Sequence, residues 1–175
     1  VGGAILDLYS SGLALVSIGV PIKRHQAAII DSVIMLAGTI YIVWVADNFF
    51  YPFQGFLITL GVPVAVWSAI FVADVVMRKK AYSEKDLFDS NGLYGSVNKG
   101  SILLMGVGSI IGWGFVTNTF APWLEWQGYL LRFIGGKDGA WAYSNIGVIF
   151  ALLIGFFGHI ILSARKIKAQ ESLLS

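Results

Sequence analysis

The chain has 175 residues, of which 57% are apolar, 13% are charged and none is cysteine. A soluble domain has about twice that charged fraction, so the polar residues are too few to cover a water-soluble globule. The net charge of +2 lacks the basic excess of a nucleic-acid-binding protein. Without cysteine there are no disulfides, thiolate metal sites or thiol nucleophiles. The composition therefore indicates an integral membrane protein.

Long uncharged or nearly uncharged runs mark the segments that can cross a bilayer, which takes about 20 apolar residues in a helix. Five spans are predicted, at residues 1–20, 26–46, 56–77, 101–120 and 141–163. Their apolar residues do not alternate strictly with polar ones, which favours helices over the strands of a barrel. We predict an all-α protein in which residues 1–175 form a single membrane region.

The chain opens inside an apolar stretch, with no initiator methionine and no basic segment before it. A secretory signal peptide begins differently, with a positively charged region. We therefore expect a fragment of a longer protein, truncated within its first span; a processed mature protein is the alternative.

The basic residues predict the orientation. Ten of the 12 fall in alternate connecting segments on one side, which include the loop 78–100 and the segment after the last span. By the positive-inside rule that side is cytoplasmic, and so is the C-terminus. On the other side, apolar residues recur at helical spacing over 121–134 and predict an interfacial helix at the outer surface.

Proline lies inside the third span, beside a glycine. A helix that started at Pro63 would be too short to cross the bilayer, so the crossing must include the residues before it. Proline leaves the carbonyl one turn back without its helical donor. Gly61 and Pro63 therefore predict a break or kink, which could be a gating hinge or a bent packing helix.

Small residues recur in the last two spans. Gly108 and Gly112 make a GxxxG pair, and Gly147, Ala151 and Gly155 make a second stripe at the same spacing. Such residues let membrane helices approach closely.

Ionisable groups inside a span need a reason, because a carboxylate in hydrocarbon costs about 3 kcal/mol. Asp74 lies one turn before Arg78, so an ion pair at the inner end of the third span explains it. His159 lies in the last predicted span, and the sequence predicts no function for it.

Asp7 lies roughly 20 Å before the inner boundary, near the middle of the bilayer, with no basic residue within helical reach. Ser10 and Ser11 lie three and four residues on and share its face. We predict a substrate, ion or proton site there; a protonated aspartate bonded to a helix carbonyl is the alternative.

Five stretches of the sequence form a recognisable pattern: residues 6–15 (LDLYSSGLAL), 53–57 (FQGFL), 73–80 (ADVVMRKK), 92–98 (GLYGSVN) and 126–129 (WQGY). Together they resemble the purine-cytosine permease family, the nucleobase–cation symporters that also include allantoin and hydantoin carriers. Their order and spacing match helices eight to twelve of a twelve-helix carrier. The resemblance covers nearly the whole chain.

The resemblance implies the C-terminal part of a leucine-transporter-like fold, in which inverted repeats enclose a site at the bilayer midplane. Asp7 falls where the family places a substrate-contacting polar residue, and the span with Gly61 and Pro63 corresponds to a helix of the outer gate. Cation-coupled members hold sodium with hydroxyls just upstream, where residues 1–4 offer none. The coupling ion, Na⁺ or H⁺, stays open, and no other cofactor or metal is implied.

The expected function is secondary-active symport of nucleobases or related heterocycles by alternating access, in the plasma membrane and together with the missing N-terminal helices. The competing interpretation is a complete small multi-span accessory subunit without transport. No His, Cys or acid cluster suggests catalytic residues, so an enzyme is not expected.

Overall fold

The computed structural model describes residues 2–17, 22–46 and 48–174, whose regular secondary structure is helical with no strand. The predicted all-α class is confirmed for these residues. The α-helices are α1 (Gly2–Ser17), α2 (Arg24–Trp44), α3 (Phe50–Met77), α4 (Glu84–Leu87), α5 (Lys99–Gly114) and α6 (Ile146–Leu173). Two units separate near the start of α3, at Val1–Pro52 and Phe53–Ser175.

Three of the described helices are long and apolar enough to cross a membrane: His25–Trp44 within α2, Phe50–Met77 and Ile146–Leu173. The helices α1 and α5 have 16 residues each, about 24 Å at 1.5 Å per residue. Of the first predicted span, residues 1 and 18–20 lie outside the described part of the chain.

In the first unit, α1 packs against α2. In the second unit, α3, α5 and α6 enclose a core that includes Val62, Val66, Leu104 and Ala151, each buried. These side chains come from all three helices, so the buried apolar surface holds the three together.

Close helix contacts occur at the small residues that the sequence singled out. A Cβ at Gly108 would lie 2.8 Å from Cγ2 of Val66, and one at Gly155 would lie 2.7 Å from the carbonyl oxygen of Val66. At Gly147, the added atom would collide with the carbonyl oxygen of Gly112. The predicted packing role of these glycines is confirmed, because no larger residue fits without a shift.

The ends of α5 and α6 differ from the predicted spans 101–120 and 141–163. The helix α5 starts at Lys99, where the Asn98 side chain accepts a hydrogen bond from the Gly100 amide at 3.2 Å. The helix α6 starts only after Asn145, whose φ of +50° is left-handed. It then continues to Leu173, well past the last predicted apolar residue.

The predicted outer helix over 121–134 is wrong: the segment forms two 3-10 helices, Pro122–Leu124 and Leu131–Phe133. Gly128 between them has a φ of +77°, which stops a right-handed helix. Its amide donates to the carbonyl oxygen of Trp113 at 2.8 Å. The segment thus folds back to satisfy the open carbonyls at the end of α5, a requirement that helical periodicity does not reveal.

Candidate functional site

The predicted substrate residues lie together on α1, in the first unit. Asp7 and Ser10 are exposed and Ser11 is half-buried. Their spacing of three and four residues keeps the hydroxyls one helical turn from the carboxylate. The described chain therefore leaves this polar group accessible.

The predicted hinge residues lie within an uninterrupted helix. The helix α3 continues through Gly61 and Pro63, both half-buried, so there is no break in it. The carbonyl that Pro63 leaves without an amide donor is that of Thr59. The indole Nε1 of Trp113 on α5 donates to this oxygen at 2.8 Å. A side chain thus replaces the lost helical hydrogen bond.

A buried polar network continues from the same turn of α3. The Asn118 amide donates to the carbonyl oxygen of Gly55 at 2.9 Å, to the Thr59 hydroxyl at 3.2 Å and to Gln127 at 3.2 Å. Gln127 in turn donates to the Thr59 hydroxyl at 2.8 Å. Both amide side chains are almost fully buried. The network ties the outer segment to α3, where a Cβ at Gly55 would collide with Leu124.

A second polar cluster forms where α3 ends. The Asp74 carboxylate accepts a hydrogen bond from Arg78 Nε at 2.7 Å, which confirms the predicted pair. It also accepts from the Tyr82 hydroxyl at 2.5 Å, and Nε2 of His159 on α6 lies 3.1 Å from its other oxygen. His159 is only 2% exposed, and its Nδ1 lies 3.3 Å from the Ser163 hydroxyl. The acid therefore connects α3, the following loop and α6.

Arg78 lies at the centre of this cluster. Its Nη2 donates to Gln170 on α6 at 3.0 Å. Its guanidinium lies 4.7 Å from the ring centre of Tyr82 and 5.2 Å from that of Tyr94. Burial opposes its charge, but the hydrogen bond and charge of Asp74 outweigh this and raise the pKa of Arg78. The guanidinium is held as a cation among aromatic and polar groups.

Tyr82 responds to the same environment. Burial, with the hydrogen bond to Asp74 and the charge of that carboxylate, raises the pKa of the Tyr82 phenol. The phenol therefore stays protonated and acts as a donor to the acid.

The spacing of residues along the sequence predicts the Asp74–Arg78 pair but not the other members of this cluster. His159, Ser163, Lys166 and Gln170 recur three or four residues apart, so they share one face of α6. That polar face at the end of an apolar helix was the available signal. In the described part of the chain, no group of three or more His, Cys, Asp or Glu side chains could hold a metal ion.

A curated protein of Bacillus subtilis (strain 168), named "Putative purine-cytosine permease YxlA", is 28% identical to this chain over 109 residues. The match covers 62% of this chain and 23% of the relative, so the matched part spans about a quarter of that protein. No family model matches the chain, and no solved structure matches it.

A distant relative with a permease name thus supports the resemblance seen in the sequence. Together with the three apolar helices, this relative supports a membrane protein.

Proposed function

We propose that the chain is part of a secondary-active symporter of nucleobases or related heterocycles, such as cytosine, purines or allantoin. The observation that carries this proposal is Asp7, a carboxylate within the apolar helix α1, with Ser10 and Ser11 one turn away. An ionisable side chain in a membrane helix marks a substrate or ion pathway by default. The named permease relative supports the substrate class.

The proposed architecture has five spans. The three long apolar helices α2, α3 and α6 are three of these spans. The helix α1 is a fourth, and α5 with the residues that follow it is the fifth. In this arrangement the chain is the C-terminal part of a leucine-transporter-like carrier. The remaining N-terminal helices complete it, and the C-terminus lies on the cytoplasmic side of the plasma membrane. The excess of basic residues on one side supports this orientation.

In the proposed mechanism, the Asp7 carboxylate accepts a hydrogen bond from an N–H edge of the heterocycle or carries the coupling proton. The two serine hydroxyls orient the substrate or the acid. Transport needs no covalent chemistry, since the cation gradient drives alternating access. Gly61 and Pro63 are the proposed hinge, because proline removes one backbone hydrogen bond of the helix α3.

Uptake by the full-length carrier tests the proposal. The Asp7→Ala variant should lose uptake of labelled bases while reaching the membrane in normal amounts. The matched variant Asp31→Ala changes a half-buried acid in α2 and should keep most of its uptake. Undiminished transport by Asp7→Ala would contradict the site.

The same assay identifies substrate and coupling. Competition by unlabelled cytosine, adenine, uracil and allantoin ranks the substrates. Uptake that rises as the external pH falls and needs no sodium indicates proton coupling. Strict sodium dependence would contradict the coupling role of Asp7. No accumulation of any base would overturn the proposed function.

A further inference from the structure

Three helices of the second unit change from apolar to charged at one level. The helix α3 ends at Met77, directly before Arg78; α5 starts at Lys99; and the first charged residue of α6 is Arg165. The hydrogen bond that Asp74 accepts from His159 and the one that Arg78 donates to Gln170 hold α3 and α6 at this level. It is where a bilayer would change from hydrocarbon to headgroups.

A polar cavity of about 240 Å³ lies at this level. Arg78 and Lys166 line it with positive charge, and Asn98, Ser163 and Tyr94 supply hydrogen-bonding groups. The Asp74 carboxylate also lines the cavity, but Arg78, Tyr82 and His159 already surround it. With two cations and one carboxylate the lining carries a net positive charge, which favours an anionic occupant.

Arg78 retains unused hydrogen-bonding capacity. Its Nε and Nη2 are bonded to Asp74 and Gln170, whereas Nη1 is buried with no acceptor among the described residues. The side chain is only 8% exposed. A buried guanidinium nitrogen without an acceptor is costly, and a phosphate oxygen is one of the acceptors to which arginine binds strongly.

An apolar cavity of about 560 Å³ adjoins the polar one. Asp74, Tyr82, Leu87 and Asn98 line both, so the two cavities are direct neighbours. Beyond these shared residues the larger cavity is lined mainly by apolar side chains, and two polar ones, Ser101 and His159, complete it; the apolar ones are Trp67, Ile70, Phe71 and Met105. A charged pocket next to an apolar one suits a ligand with an anionic head and a hydrocarbon tail.

We propose that these two cavities form a binding site for one anionic phospholipid. Its phosphate lies against Arg78 and Lys166, and one acyl chain lies along Ile70 and Met105. Basic pockets between membrane helices on the cytoplasmic side are suited to acidic headgroups. A soluble anion would fill only the polar part and would leave the larger apolar cavity open. The site is independent of the substrate that the carrier transports.

Binding to the full-length protein in detergent tests the site. Native mass spectrometry would count bound dioleoylphosphatidylglycerol, with dioleoylphosphatidylcholine and inorganic phosphate as comparisons. We expect one retained phosphatidylglycerol and clear preference over phosphatidylcholine. Equal retention of the two lipids, or phosphate displacing phosphatidylglycerol at millimolar concentration, would overturn the proposal; the latter would indicate a site for soluble anions.

Two pairs of variants test the proposed contacts of the lipid headgroup and of its acyl chain separately. Lys166→Gln should weaken retention of phosphatidylglycerol about fivefold, as the loss of one basic residue at an anionic surface implies. Lys168→Gln, which changes another exposed lysine of α6 that does not line the polar cavity, should leave retention unchanged. Met105→Trp should weaken retention by filling the apolar cavity, whereas Val107→Trp, at an exposed position of α5, should not. Equal effects within either pair would contradict the site.

Discussion

The indole Nε1 of Trp113 donates a hydrogen bond to the carbonyl oxygen of Thr59 at 2.8 Å. In a regular helix this carbonyl would accept from the amide of residue 63, but Pro63 has no amide hydrogen to donate. A backbone carbonyl in a membrane has no water to replace the lost donor. The contact therefore explains why α3 keeps its helical course through a proline, and it ties the middle of α3 to α5.

Removing this donor should destabilise the protein only while the proline is present. Trp113→Phe should lower the free energy of unfolding by about 1–3 kcal/mol, the cost of an unsatisfied buried polar group. In a Pro63→Ala background the cost should be much smaller, because the new amide can bond the Thr59 carbonyl. Thermal unfolding of the four proteins in detergent gives this double-mutant cycle. Trp123→Phe, at an exposed position, serves as control, and an equal loss in both backgrounds would contradict the role of the indole.

The acid at the end of α3 should be important for stability. Asp74→Asn keeps the size of the side chain but removes the charge that Arg78, Tyr82 and His159 face. We expect a loss of about 2 kcal/mol, typical of hydrogen bonds to a charged group. Glu84→Gln, which removes an exposed carboxylate from the short helix α4, should leave the unfolding temperature nearly unchanged. A similar small effect for both variants would mean that the cluster adds no stability.

Alanine at the glycines between α5 and α6 should be tolerated according to the space around each. Gly147→Ala would drive a methyl group into the carbonyl of Gly112 and lie 2.8 Å from Cγ1 of Val116. We expect a fall in unfolding temperature, since helix packing in membranes depends on such close approach. Gly106→Ala, on α5 with nothing within 4 Å, should be neutral or slightly stabilising. Equal unfolding temperatures for Gly147→Ala and Gly106→Ala would contradict this explanation.

Gly61 allows a test of the proposed hinge without a steric effect. A Cβ there has nothing within 4 Å, so Gly61→Ala should fold normally. If the turn bends during transport, the loss of glycine freedom should slow uptake several-fold. Gly38→Ala has the same open surroundings on α2 and should transport at the normal rate. Normal transport by Gly61→Ala would indicate that this turn only packs.

The amino-acid sequence by itself determined the properties that belong to a single helix or to near neighbours along it. The scarcity of charged residues indicates a membrane protein, and the long apolar runs predict where α2 and α3 lie in the sequence. The spacing of four residues predicts the Asp74–Arg78 pair. Glycine spacing also marked the close contacts of α5 and α6. These features follow from local periodicity and burial, which a linear pattern records directly.

Only the tertiary structure decided which distant groups meet. His159 contacts Asp74, although the two are 85 residues apart in the sequence. Trp113 lies 54 residues after Thr59 and donates to its carbonyl in place of the amide that Pro63 lacks. The outer segment also folds back because the open carbonyls of α5 need donors there. Such pairings depend on how helices pack and on which polar groups burial leaves unsatisfied, and neither is encoded in the spacing of residues along one helix.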